Sequence, residues 1–345
     1  MADSTADSQS GFCFSVRKSV TFRPESATII TEQTGKILSG EIIKIKRGMT
    51  TMQPNESYVL FTDSAADLSA HMLESMGVRT IPLNVFMKDA PAQPCTLRGT
   101  AFYDALRAGQ VACTSAANLA RFREAFTEVL ETGKDILYLA FSSPLSCMYA
   151  TARIAAEELL EQYPERRIII VDTLCASMGE GLLVYHCAEE QLRGLSLDEL
   201  AAYAEATKLK IMHWFTVDDL MFLKRGGRVS SVSAFAGTLL GIKPVMHVSD
   251  EGKLVPRQKL RGRKNAVLEL GKHFAAECTD KESTVFIAHA DAHDAAEMLK
   301  SALLHEHGAK HVVIGEIGPV IGAHAGPGTI ALFYLGTSRE EPVQS

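Results

Sequence analysis

DILYLAFSSPLSCMYATARIAAEELLEQY, residues 135–163, decides how the chain folds. After Asp135 its next six residues are apolar and suited to a buried strand. Three serines, Ser142, Ser143 and Ser146, then fall within five positions. From Met148 the apolar residues recur at helical spacing. Strand, polar turn and helix make one βα unit, with hydroxyls at the carboxyl end of the strand.

Working outward, the same alternation repeats. YVLFTDS (58–64) reads as a strand, and DLSAHMLESMG as a helix closed by Gly77. VRTIPLNVFM reads as a second strand. Helices are expected over 100–108 and 118–132, flanking CTSAAN as a turn. RRIIIVDT is a strand, while GEGLLVYHCAEEQLR and SLDELAAYAEATKLKIM are helices. This pattern predicts an α/β fold with a parallel-rich sheet flanked by helices, and ligands at the carboxyl ends of its strands.

The C-terminal part is more mixed. VDDLMFLKRGG reads as a helix stopped by its glycines, and VSAFAGTLLG as another. KPVMHVSDEGKLVPRQKL reads as a hairpin turning at Asp250-Glu251-Gly252. NAVLELGKHFAAEC and DAAEMLKSALLHEHG are helices; STVFIAHA and HVVIGEIG are strands. GPVIGAHAGPGTIALFYLG pairs a glycine-rich loop with a last strand or helix. The expected organisation is an extension over 1–57, with short runs such as SVTF and EIIKIK, then a first α/β domain over 58–212. A second, mixed α/β domain follows over 213–337, and a tail over 338–345.

Composition narrows the function. Of 345 residues 46% are apolar and 22% charged, which suits a soluble globular protein with an ample core. No run of 18 apolar residues suggests a transmembrane segment, and MADSTADSQSGFCFS lacks the regions of a secretory signal. Seven cysteines without a CxxC pair read as reduced thiols of a cytoplasmic protein. The net charge of −6 disfavours nucleic acid as the main partner.

What chemistry do the serines allow? A nucleophile needs a base and oxyanion donors, and the GxSxG spacing of a nucleophile elbow is absent. His289, His293 and His324 are the candidate bases, remote in sequence. The plainer reading is that the serines cap the helix beginning near Met148. Capping hydroxyls beside free N–H groups also make an anion site, and Thr114-Ser115 sits similarly before the helix near Asn118. Nucleotide cradles of the GxxxxGK[ST] and GxGxxG types are missing, and no cofactor is expected. The histidines and acids of HADAHDAAE (289–297) lack metal-ligand spacing, so no metal is expected. Lys253 to Lys264 forms a basic stretch in an acidic chain, suited either to a solvated strand edge or to docking an acidic or phosphate-bearing partner.

Seven stretches in order, FTDSAADL, CTSAAN, FSSPLSCMYATA, VDTLCASMGEGLLV, FLKRGGRVS, GIKPVMHVSDEGKLVPRQKLRGRKNA and GPVIGAHAGPGT, resemble the DegV family of fatty-acid-binding proteins. The resemblance runs from about Tyr58 to Gly336. It implies two α/β domains enclosing one long-chain fatty acid. It further implies a carrier without catalytic residues, presenting the carboxylate to a separate ATP-binding fatty acid kinase subunit. That subunit makes an acyl phosphate for phospholipid synthesis. By position, Thr114 and Ser146 would hold the carboxylate, with Ser143 close by and His324 of the AHAGPG loop near the head group. Arg257, Arg261 or Arg263 would meet the kinase. Pro144 and Cys147 stand where the family has glycines, which bears on loop shape and acyl preference. A serine hydrolase or phosphotransferase acting on an acyl substrate is the alternative.

A carboxylate beside His324 would favour imidazolium. SAFAGTLLGI and TIALFYL are the segments expected to line the tail.

Overall fold

The computed structural model describes residues 55–229 and 241–339. The expected strands of the extension and the helix over VSAFAGTLLG, with its tail-lining role, lie outside the described residues.

The chain opens with β1 (Tyr58–Asp63), the 3₁₀ turn Ser64–Ala66, α1 (Ala70–Met76), β2 (Arg79–Ile81) and β3 (Asn84–Met87). It continues through α2 (Gly99–Arg107), β4 (Ala112–Ser115), α3 (Leu119–Leu130), β5 (Asp135–Ala140), α4 (Met148–Gln162) and β6 (Ile168–Asp172). Strands β2, β1, β5 and β6 form a parallel sheet in that order, as the βα alternation predicts. Helices α3 and α4 pack on it. Ser69 caps α1 through its hydroxyl, and Gly77 ends that helix in the left-handed region.

The expected single strand VRTIPLNVFM is broken in two. Pro82 has no N–H for a ladder, so β2 ends at Ile81 and the chain turns. β3 then pairs with β4 in a separate antiparallel ribbon, with Val85 opposite Thr114. CTSAAN is therefore strand through Ser115, not turn, and Asn118 rather than Thr114 or Ser115 caps α3.

Helices α5 (Met178–Leu192) and α6 (Leu197–Thr207) lead to β7 (Ile211–Thr216). The helix expected to reach Met212 ends at Thr207, and Ile211–Thr216 is strand instead. Apolar Ile-Met-His-Trp-Phe follows a helical run without a glycine or proline to mark the break. Lys208–Lys210 makes a 3₁₀ turn there instead. The division expected near residue 213 would fall inside β7, after its second residue.

There follow α7 (Leu220–Gly226), β8 (Ile242–Val248), β9 (Leu254–Arg261), α8 (Arg263–Glu277), β10 (Thr284–His289), α9 (His293–His305), β11 (His311–Glu316), α10 (Pro319–Ala325) and β12 (Ile330–Leu335). The second sheet runs β11-β10-β12-β7-β8-β9. β10 and β11 are parallel and the other pairs antiparallel, with β8–β9 forming the expected hairpin. Its outer face packs on α8 and α9, around Phe274, Leu299 and Leu332. α5 packs against the inner face, and Met178 through Ala188 are buried without a polar stripe. The expected glycine-rich loop after Ile317 contains α10, which begins at Pro319.

Two buried polar groups hold strand ends in place. Asp63 Oδ2 accepts from the Tyr138 hydroxyl at 2.8 Å and the Phe141 N–H at 3.0 Å, while Oδ1 accepts from Ala65 N–H at 2.9 Å. Burial raises the Asp63 carboxyl to about 6 despite these bonds. At the other end, Arg339 is only 3% exposed, although it belongs to the expected tail. It donates to the carbonyls of Ile211 (3.0 Å), Leu174 (2.6 Å), Ser249 (3.2 Å) and Lys208 (2.6 Å), and to Cys175 Sγ (3.0 Å). One guanidinium thus joins the β6–α5 loop to the second sheet.

Arg339→Ala should lower the unfolding free energy by about 3 kcal/mol, because it leaves several buried carbonyls without donors. Urea denaturation followed by circular dichroism checks this; a change below about 0.5 kcal/mol would show the clasp to be dispensable.

Candidate functional site

The carboxyl end of β5 and the inner face of the second sheet enclose a cavity of ≈ 310 Å³. Phe215 and Ala331 sit opposite one another on β7 and β12, as do His213 and Phe333 two positions along, on the same face. All four line the cavity, together with Leu145 and Val248. TIALFYL thus contributes Ala331 and Phe333, as expected of it.

His213 presents no free polar atom. Its Nδ1 lies 2.8 Å from the Ile211 carbonyl, and Nε2 accepts the Ala176 N–H at 3.2 Å. Burial first, then the nearby Arg339 charge, hold this imidazole well below its ordinary pKa, so it is neutral. With both nitrogens engaged, its ring is effectively an apolar wall.

Polar groups gather at one side of this space. Thr114 and Ser115 of β4, Ser146 before α4, His324 of α10 and Arg228 after α7 all line it. Thr114 Oγ1 and His324 Nε2 are 2.8 Å apart, a bond between residues 210 positions distant in sequence. His324 lies in the last turn of α10 rather than in a loop. Its Nδ1 is buried without a partner. A bare buried N–H is costlier than a bare acceptor, so the proton belongs on Nε2. Nε2–H then donates to Thr114, whose own hydroxyl hydrogen is left to point at an anion.

Gly226 explains how α7 approaches this ring. A Cβ there would stand 2.2 Å from His324 Nδ1, so the helix must present glycine. Arg228, two residues on, donates from Nε to the Leu145 carbonyl at 3.2 Å and from Nη1 to the Gly226 carbonyl at 2.5 Å. It is exposed, and places a positive charge at the cavity mouth. Burial, with a smaller contribution from Arg228, lowers His324 to about 4. The imidazolium expected beside a carboxylate is therefore not the ligand-free state.

The serine cluster divides. Ser146 lines the cavity, and its Oγ accepts a long 3.4 Å bond from the Met148 N–H. Ser142 is buried and donates to the Gly252 carbonyl at 2.8 Å, tying the FSS turn to the β8–β9 turn. Ser143 is exposed beyond the cavity wall; its N–H donates to Asp172. Cys147, not a serine, occupies the N-cap of α4. None of the three hydroxyls bonds a histidine or a carboxylate, so a nucleophile–base pair is not assembled among the described residues. Near HADAHDAAE, Asp291 is engaged by Arg107 at 2.5 Å and by Thr100 at 2.9 Å.

The three arginines of the basic stretch also separate. Arg257 and Arg261 are exposed on β9, the edge strand of the second sheet. Arg263 is half-buried, bonded to the Gly328 carbonyl and 3.5 Å from Asp218. Sequence reasoning missed Arg228, Ser177 and His213 in the cavity. RGGR did carry a signal for Arg228: a basic residue placed just after a glycine-closed helix end.

A model of the DegV family matches residues 57–337. A DegV domain-containing protein of Clostridium perfringens is 43% identical over 292 residues, covering 83% of this chain and 99% of that protein. A DegV family protein from Thermus thermophilus, solved for its fatty acid binding, matches with TM-score 0.71 and 29% identity over 81% of this chain and 100% of its own. A fatty-acid-binding DegV family protein from Streptococcus agalactiae matches with TM-score 0.71 and 28% identity, covering 81% and 99%.

In ligand-free protein, NMR titration should find His324 neutral until the pH falls to about 4. The unfolded chain takes up that proton near 6.5, so this residue's contribution to stability fades as pH drops from about 6.5 to 4. A midpoint at 6 or above in the ligand-free state would contradict the buried, Arg228-facing geometry.

Proposed function

Since the chain belongs to the DegV family, we propose that it binds a long-chain fatty acid, with the tail in the cavity between the sheets and the carboxylate among Thr114, Ser146, His324 and Arg228. The observation that carries this reading is the Thr114–His324 pair at one side of a mainly apolar cavity. A buried carboxylate needs donors. The Thr114 and Ser146 hydroxyls supply two, and Arg228 supplies charge from the solvent side. Ser143 belongs to the outer turn in this reading rather than to the head-group contacts. Each methylene buried contributes roughly 0.8 kcal/mol, so the tail supplies most of the affinity and the head group sets orientation.

The same division of labour suits a carrier that presents its cargo to a separate ATP-binding kinase subunit for acyl phosphate formation. The carboxylate lies beside exposed Arg228, within reach of a partner, while the tail is shielded. Exposed Arg257 and Arg261 on β9, an edge strand among the described residues, support docking to an acidic surface of that partner. Arg263 is better assigned to holding the Gly328 turn. Six free cysteines among the described residues fit a reducing compartment, the cytoplasm. No helix of the described residues is long and apolar enough to cross a membrane.

Protein purified from cells should carry a fatty acid visible by native mass spectrometry. Thr114→Val combined with Ser146→Ala should weaken palmitate binding about tenfold or more, with unchanged circular dichroism. Equal affinity in the double variant would remove those two residues from the head-group site. Arg257→Glu with Arg261→Glu should slow acyl phosphate formation by a reconstituted kinase while leaving palmitate affinity intact. Undiminished turnover at low salt would exclude β9 as the docking edge.

A further inference from the structure

The loop after β1 carries a second carboxylate that the reading above does not use. Asp67 lies beyond the Ser64–Ala66 turn in the left-handed region, at φ 52°. Its Oδ1 accepts the Gly318 N–H at 2.8 Å. Gly318 caps α10, the helix whose last turn holds His324. The fit is close, since a Cβ on Gly318 would stand 2.9 Å from that oxygen. The neighbouring Ile317 carbonyl is held from the other side by the Tyr103 hydroxyl at 2.5 Å.

The other oxygen, Oδ2, lies 2.5 Å from Ser177 Oγ. Ser177 lines the cavity and precedes α5. Its backbone, at φ 53° and ψ −147°, is in a region that side-chain-bearing residues seldom enter. Such strain persists only where neighbours enforce it, and it concentrates at functional positions. Asp67 is the side chain that bonds Ser177 in this conformation.

We propose that Asp67 is a positioning residue for the carboxylate site, fixing together the helix that carries His324 and the strained Ser177 on the cavity wall. It acts through the backbone of α10 and does not touch the ligand. A shift of Gly318 moves α10 as a unit, because a short helix is rigid, and so moves the imidazole relative to Thr114 on β4. The surroundings favour a neutral acid here: burial raises the Asp67 carboxyl to about 8, and the Asp63 charge adds to this. Asn at this position can accept from Gly318 with its oxygen and donate to Ser177 with its nitrogen, reproducing both contacts.

This inference rests on the carboxylate reading given above, and the test separates the two. Affinities for palmitic acid and for methyl palmitate are measured in wild type, Asp67→Asn, Asp67→Ala and Ser177→Gly. Wild type should prefer the acid by about tenfold or more; absence of any preference would overturn the head-group reading itself. Asp67→Ala should bind the ester as wild type does and lose most of the preference for the acid, while Asp67→Asn retains it. Ser177→Gly removes the hydroxyl at a backbone position that glycine adopts freely, and should likewise reduce the preference. If Asp67→Ala does not fold, Ser177→Gly and Asp67→Asn decide alone. An undiminished acid preference in Asp67→Ala and Ser177→Gly, or an equal loss for acid and ester, would overturn the positioning role.

Discussion

The contact between Thr114 Oγ1 and His324 Nε2, 2.8 Å long, is the constraint on which the site turns. It joins a short antiparallel ribbon beside the first sheet to a seven-residue helix placed before β12 of the second. Neither element is held firmly by itself. Among the described residues the ribbon has two strands, and Gly318, the N-cap of α10, has no side chain of its own to cap the helix. Their mutual position comes from outside. Asp63 fixes the turn after β5, Ser142 ties that turn to Gly252, and Gly226 lets α7 rest on the imidazole.

The electrostatic arrangement follows from the same packing. His324 is neutral because it is buried and faces Arg228, so the ligand-free site holds one exposed positive charge and several hydroxyls. An anion entering there gains donors without displacing a resident carboxylate. Behind it, the wall becomes apolar even at His213, whose nitrogens are spent on backbone groups. The rest of the lining is mostly apolar, broken by the hydroxyls of Ser177 and Thr329. A molecule with one charged end and a long apolar remainder matches that distribution better than a uniformly polar metabolite.

Much of this was legible in the sequence where local pattern and final environment agree. β1, β5 and β6 are continuous apolar runs between turn residues, and they became the parallel sheet. Thr114, Ser146 and His324 were named from the family resemblance, and the fold brings all three to one cavity. Elsewhere the environment outweighed the pattern. IMHWFT follows a helix without a breaker, and only pairing with β12 and β8 makes it a strand. α10 looked like a glycine-rich loop because Gly318, Gly322 and Gly326 surround it. Gly322 is small because Tyr103 and Phe102 crowd that face; a Cβ would stand 2.6 Å from the Tyr103 hydroxyl. Arg339 belonged to an apparent tail, and its burial depends on carbonyls from segments more than 80 residues away. No window of sequence contains that information.

The central claim is directional: carboxylate at the Thr114–His324 rim, tail toward His213 and Phe333. A crystal of the protein with a fatty acid brominated at its terminal carbon tests it most directly, through the anomalous scattering of the bromine. The account predicts one bromine peak inside the cavity on the side of Phe333, with carboxylate density within hydrogen-bonding distance of Thr114. A bromine peak beside Arg228 with the carboxylate deep in the cavity, or a tail lying outside the space between the sheets, would contradict it.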